Sequence, residues 1–82
     1  MEQETLFNFM MNVLGVDTSG LQADTPLFSS GILDSAGMVE LMVFVETEAQ
    51  VRFGQDDITL ENLDSVERIL RFIERQRAAR TE

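Results

Sequence analysis

Apolar residues recur at three- and four-residue intervals between Glu4 and Leu14, at Leu6, Phe9, Met10, Val13 and Leu14, and Gly15 follows them. That spacing lays one apolar stripe along a helix, and a glycine just past it favours termination. The next stretch, VDTSGLQADTPLFSSGI, is rich in Asp, Thr, Ser and Gly and holds the single proline, which predicts a long first loop. Loops of that length are uncommon in compact domains unless side chains anchor them, and Leu21, Leu27, Phe28, Ile32 and Leu33 are the expected anchors. A second helix is expected from Ser35 to about Val51, followed by a turn at FGQDD and one or two helical turns over ITLENL. Asp64 should open a final helix with Val66, Ile69, Leu70 and Ile73 on one face. No segment alternates with period two for long enough to make a strand. The pattern predicts an all-α fold: a small bundle of three main helices plus one short helix, with a long first loop. We read residues 1–82 as one domain, with 76–82 a frayed C-terminus.

On the second helix, Met38, Leu41, Met42, Phe44 and Val45 share an arc of roughly 160° at about 100° per residue, and these five are the expected core positions. Ala36, Val39 and Val43 fall outside that arc, bordered by Glu46 on one side, with Glu40 beyond the other edge. Two readings fit. Either the helix is buried nearly all round, or it presents small apolar residues rimmed by carboxylates as a docking face for a protein partner.

The triplet LDS occurs twice, at residues 33–35 and 63–65. At the second, Asp64 and Glu67 stand in the relation of a capping box before an apolar run, so Ser65 needs only a structural role. At the first, Asp34 can cap the second helix, but Gly37 stands where a reciprocal acid would complete the box. Glycine in a first turn costs up to about 1 kcal/mol relative to alanine, which suggests a use. Ala36 and Gly37 would leave the Ser35 hydroxyl uncovered at a helix N-terminus, where free N–H groups and the helix dipole favour an attached phosphate.

Composition narrows the functions open to such a chain. At 82 residues the domain is too small for a deep enclosed site, and it has no Cys, His, Lys, Tyr or Trp. Without His, a general base would have to be a strongly shifted carboxylate, so we expect no enzyme and no catalytic residue of its own. No thiolate metal site is possible, and no Asp-x-Asp-x-Asp-Gly calcium loop is present, so no metal is expected. The acidic N-terminus and the lack of a long apolar run argue against a secretory signal or a membrane span, and a soluble cytoplasmic protein is expected. Net charge is −9, and it is unevenly placed: residues 1–51 carry eight carboxylates and no cation, while residues 52–82 carry seven carboxylates and all six arginines. Such a surface repels nucleic acid and anionic membrane and attracts basic protein surfaces.

A helical domain with a long first loop and GILDSAGMVEL at the start of its second helix resembles the acyl carrier protein family, over essentially the whole chain. The resemblance implies that Ser35 of the Asp34–Ser35 pair receives 4′-phosphopantetheine from coenzyme A, and that the thiol of that arm carries substrates as thioesters. It also implies that Ala36, Val39, Glu40, Val43 and Glu46 belong to a partner-recognition helix. Implied partners are a phosphopantetheinyl transferase, a loading ligase or acyltransferase, and downstream synthase enzymes with basic docking surfaces, meeting a monomeric carrier. The missing Cys and His then fit, since the thiol comes with the prosthetic group and the partners supply acid and base. Fatty-acid carriers usually have a larger apolar residue after the serine than Ala36, and carrier domains of peptide synthetases usually have a glycine-rich run where this chain has Ile32, Leu33 and Asp34. Stand-alone aminoacyl carriers of the D-alanyl type, and discrete carriers of polyketide and nonribosomal peptide pathways, match better at Gly31, Leu33, Asp34, Ser35, Gly37, Val39, Glu40 and Leu41. The alternative of another class is an unmodified acidic helical adaptor, which would bind basic protein surfaces through the same helix while Ser35 served only to start it.

Overall fold

The computed structural model describes residues 1–80, which form α1 (Gln3–Asn12), α2 (Ser35–Ala49), α3 (Leu60–Leu63) and α4 (Val66–Arg80), with one 3-10 turn at Gln55–Asp57. Among the described residues there is no strand, so the all-α bundle of three main helices and one short one is the observed architecture. α4 is helical through Arg80, within the stretch expected to fray; residues 81–82 lie outside the described residues.

Each helix contributes one buried face. Leu6 and Met10 from α1, Leu41, Val45 and Ala49 from α2, and Val66, Ile69, Phe72 and Ile73 from α4 are all at most 2% exposed. Fully burying a side chain of the Val, Leu, Ile, Phe or Met type contributes about 1.5–3 kcal/mol, so this cluster holds the small bundle together. Two stacked ring pairs tie its edges, Phe9 on Phe44 (4.1 Å between centroids) and Phe53 on Phe72 (4.5 Å). Of the five core positions expected on α2, Leu41 and Val45 are buried, while Met38, Met42 and Phe44 are half-buried against the cluster. The buried row is instead Gly37, Leu41, Val45 and Ala49, a four-residue repeat with a small residue at each end. On α4, Phe72 takes the fully buried place expected for Leu70.

α1 stops at Asn12, two residues before the apolar pattern ends. Gly15 has a positive φ of 72°, a conformation glycine adopts without strain, and the Val16 N–H donates back to the Met10 carbonyl (3.0 Å). Val13 is therefore beyond the helix and 58% exposed rather than in the core.

The long loop is anchored as expected by Leu27 and Leu33, both buried, and by Leu21 and Phe28, packed on the cluster; Ile32 is exposed. Polar bonds do as much. The Leu27 N–H donates to the Asp64 carbonyl (2.7 Å), and the Glu67 N–H donates to the Ala23 carbonyl (2.8 Å). The Asp64 carboxylate accepts from the Phe28 N–H (2.8 Å), the Ser29 N–H (3.0 Å) and the Ser29 hydroxyl (2.6 Å). This corrects the expected capping box. Ser65 itself caps α4, its Oγ accepting from the Arg68 N–H (3.1 Å), and Asp64 is turned away to hold the loop.

Partial burial of Asp64 would raise its carboxyl, but the bonds from the Ser29 hydroxyl and from the Ser29 and Phe28 N–H groups outweigh it and hold the group below the ordinary value of 3.8. Asp64→Asn should lower stability at neutral pH by about 1–3 kcal/mol, because it replaces a charged acceptor of three bonds. A depressed carboxyl contributes stability above its unfolded value and loses it as pH falls through the folded one. In urea unfolding, the gap between wild type and variant should thus be constant above about pH 5 and close as the pH falls below 3.8.

Candidate functional site

The loop delivers the chain to α2 through Gly31, whose φ of 85° is open to glycine, and through buried Leu33. Asp34 then caps the helix: its Oδ1 accepts from the Gly37 N–H (2.8 Å), and its carbonyl accepts from the Met38 N–H (2.9 Å). Ser35, the first helical residue, is exposed, as is Ala36. The N–H groups of Ser35 and Ala36 lie in the first turn, where a helix offers no acceptor, and so remain available at the positive end of a 15-residue helix.

Gly37 has a different place from the one its position after the serine suggested. It is buried, and a Cβ there would meet Asp34 Oδ1 at 3.4 Å and Leu33 Cδ2 at 3.5 Å. About 200° around the helix from Ser35 at the usual helical pitch, it faces Leu33 and does nothing to uncover the hydroxyl. Exposure of Ser35 comes from its position at the helix start, with Ala36 beside it.

The two LDS triplets separate cleanly. Ser65 is 3% exposed and its hydroxyl accepts the Arg68 N–H, so it is closed to any external reagent. Ser35 is open.

Ala36, Val39 and Val43 are exposed, the two valines at 60% and 57%, which excludes a helix buried on all sides. Glu40 is exposed beside them. Glu46 is on the same face but is half-buried and internally engaged: its Oε2 accepts from the Phe53 N–H (2.8 Å), fixing the chain as it leaves α2. Helix periodicity makes Glu46 a free rim charge, and it does not show the hydrogen bond to the backbone seven residues on. Two further residues, Phe9 of α1 and Val13 just beyond its end, adjoin Val39, Val43 and Phe44, which helix periodicity on α2 alone does not show. The one available signal was Gly15, which places Val13 near a helix end. A separate cleft of about 360 Å³ lies between the end of α1 and the start of α2, lined by Val13, Leu14, Ile32, Asp34, Ala36 and Glu40 among others.

Among the described residues, no three carboxylates come together as a metal site, and no helix is long and apolar enough to cross a membrane. The acidity is spread rather than gathered.

Comparison with known proteins agrees with this geometry. A family model described as a phosphopantetheine attachment site matches residues 4–73. A probable acyl carrier protein, PigG of Serratia sp., is 28% identical over 78 residues, covering 95% of this chain and 90% of the relative. The D-alanyl carrier protein of Enterococcus faecalis is 29% identical over 72 residues, covering 88% of this chain and 92% of the relative.

The two glutamates of α2 should respond differently to charge reversal. Glu46→Lys removes the acceptor of the Phe53 N–H and should destabilise the fold by about 1–3 kcal/mol, whereas Glu40→Lys should stay within about 0.5 kcal/mol of wild type. Thermal melts of the two variants at equal salt provide the check.

Proposed function

Because the chain belongs to the phosphopantetheine-attachment family of carrier proteins, we propose that Ser35 is the residue to which its 4′-phosphopantetheine is joined. Once attached, that group supplies a thiol on which acyl or aminoacyl groups are carried as thioesters. The observation that carries the assignment is the contrast between the exposed hydroxyl of Ser35 and the buried, hydrogen-bonded hydroxyl of Ser65.

The residues around Ser35 fit the group. A phosphodiester on Oγ would leave from an exposed first-turn position, close to the free N–H groups of Ser35 and Ala36 and to the positive end of α2. Asp34, whose carboxylate would otherwise repel a phosphate, is bound to the Gly37 N–H. Forming the ester requires the hydroxyl to lose its proton. This chain has no His, Lys, Tyr or Cys to take it, so a phosphopantetheinyl transferase must bring the base. The same lack assigns all later acid–base chemistry to partner enzymes, and the protein acts as a carrier rather than a catalyst.

A loading ligase or acyltransferase and downstream synthase enzymes are the remaining partners, meeting the acidic first half through basic surfaces. We place the carrier in polyketide or nonribosomal peptide-type biosynthesis, as an acyl or aminoacyl carrier working as a monomer. Support comes from the window Gly31 to Leu41 together with the two relatives, an acyl carrier and a D-alanyl carrier.

Incubation with coenzyme A and a broad-specificity phosphopantetheinyl transferase should add one phosphopantetheine to the intact mass of wild type and of Ser65→Ala, and none to Ser35→Ala. Ser35→Ala should keep wild-type helicity, because Asp34 still caps α2, while Ser65→Ala should lose about 1 kcal/mol with its cap. An unchanged mass for wild type, or modification of the Ser35 variant, overturns the assignment.

A further inference from the structure

On α4, charge runs against local preference. Residues 68, 71 and 75 are all arginine, spaced i, i+3 and i+7, so their side chains leave the helix within an arc of about 60° along about 10 Å of its length. Like charges three and four residues apart destabilise a helix. Arg68 is worse placed still, in the first turn of a 15-residue helix, where the positive end of the dipole favours an acid. Glu67 beside it is the acid that turn favours, and it pairs with Arg71 (3.3 Å). Neither Arg68 nor Arg75 has a carboxylate partner among the described residues.

All three arginines are exposed, and with Glu61, Asn62 and Glu67 they line an open cleft of about 450 Å³ between α3 and α4. The α3 wall sets two of the guanidiniums in place. Arg75 donates to Asn62 Oδ1 (2.7 Å) while lying 5.9 Å from the centre of the Phe72 ring, and Asn62 is itself held by donating from Nδ2 to the Asp57 carbonyl (2.9 Å). Arg68 reaches the Leu60 carbonyl at 3.5 Å. A guanidinium has five N–H donors in a planar fork, so most of each fork is left for an acceptor from outside.

The other charges of the cleft decide what that acceptor is. Glu61 and Glu67 lie among the arginines, so a compact polyanion such as a phosphate ester would meet two carboxylates along with them. A peptide can set single carboxylates on Arg68 and Arg75 and keep clear of both glutamates. Nucleic acid is repelled by a domain of net charge −9, and a second copy of the chain brings that same charge with it. A locally acidic segment of an otherwise neutral or basic protein is not repelled in this way. At physiological ionic strength the field of the acidic half is screened over about 8 Å. The long dimension of the molecule is 39 Å.

We propose that the α3–α4 cleft is a second docking site, which takes a helical segment of a partner protein carrying carboxylates seven residues apart. Laid along α4, such a segment pairs one carboxylate with Arg68 and the next with Arg75, each through two parallel N–H···O bonds. The site is opposite in sign to the acidic first half. It therefore takes a different protein, or a different part of the same one, from the basic surfaces proposed to meet that half. The proposal goes beyond the carrier reading and does not depend on Ser35.

The test titrates ¹⁵N-labelled protein, at about 0.15 M salt, with an alanine-based helical peptide bearing glutamates seven residues apart. The same peptide with glutamines is the uncharged probe. Amide and arginine Nε–H shifts should centre on Asn62, Arg68, Arg71 and Arg75, and the glutamine peptide should not bind. Arg68→Glu and Arg75→Glu should each weaken binding about fivefold or more. Arg52→Glu makes the same change in net charge at an exposed arginine outside the cleft, and should bind within about twofold of wild type. Arg68→Glu should keep or raise the wild-type melting temperature, since an acid suits its turn. A clear fall in that temperature would mean that the guanidinium serves the fold, and would overturn the proposal. Equal weakening by Arg52→Glu, or no binding of the glutamate peptide, would do so too. Tighter binding of inorganic pyrophosphate to the same three arginines would make this a phosphate site instead, and a wild-type dimer that Arg68→Glu dissociates in sedimentation would make the occupant a second copy. Each of these results leaves the mass measurement on Ser35 untouched, so the two readings fail separately.

Discussion

Asp64 holds the molecule's most remote strands of logic together in one carboxylate. Its oxygens gather the Phe28 and Ser29 N–H groups and the Ser29 hydroxyl across a separation of more than thirty residues, and its carbonyl takes the Leu27 N–H as well. A 22-residue connection between helices would ordinarily be the most mobile part of so small a domain. Here it is bound to the α3–α4 junction by four hydrogen bonds to one residue and, at its middle, by a fifth from Glu67 to Ala23. Leu27 and Leu33 are thereby set into the core, and from Leu33 the chain has only one residue before α2 begins. The place of the Ser35 hydroxyl therefore depends on a group far from it in sequence.

Charge and packing act on different parts of the surface. Three of the arginines, which all follow residue 51, attend to the fold: Arg77 donates to the Ala49 carbonyl at the end of α2, Arg75 to Asn62 Oδ1 while lying over the Phe72 ring, and Arg71 pairs with Glu67. A cation at the C-terminal end of α2 also suits its dipole. The first half has no such internal partners, so its carboxylates divide into those engaged by backbone N–H groups, such as Asp34 and Glu46, and those left to solvent, such as Glu40 and Glu48. The second group gives the α1–α2 side its negative field.

Helix positions were legible in the sequence because period and punctuation agreed: Asp34 before α2, Gly15 after α1, and three- and four-residue apolar steps within the helices. Ser35 was legible for the same reason, as the exposed residue after a cap. What could not be read were bonds that join residues distant in sequence. Asp64 followed three places on by Glu67 has every local mark of a capping box, yet Ser65 is closer to the start of α4, and its hydroxyl takes the cap while the carboxylate reaches a loop more than thirty residues back. Glu46 is similar: the wheel puts it beside Val39, but the chain doubling back after Val51 brings the Phe53 N–H to it. Gly37 shows the opposite limit. Adjacency in sequence suggested that it served Ser35, whereas a helix turns such neighbours to different sides, and its packing is against Leu33.

The closeness of Ser35 to Val39, one turn apart on the exposed side of α2, bears on traffic. A protein that must pass from one enzyme to the next faces a conflict when grip and reaction share a surface, since letting go of the first enzyme interrupts access to the tether. With Val39 a single turn from Ser35, grip and reaction do share a surface here, and a protein seated on the exposed valines also covers the hydroxyl. Each enzyme must then let go of the domain before the next can reach the tether.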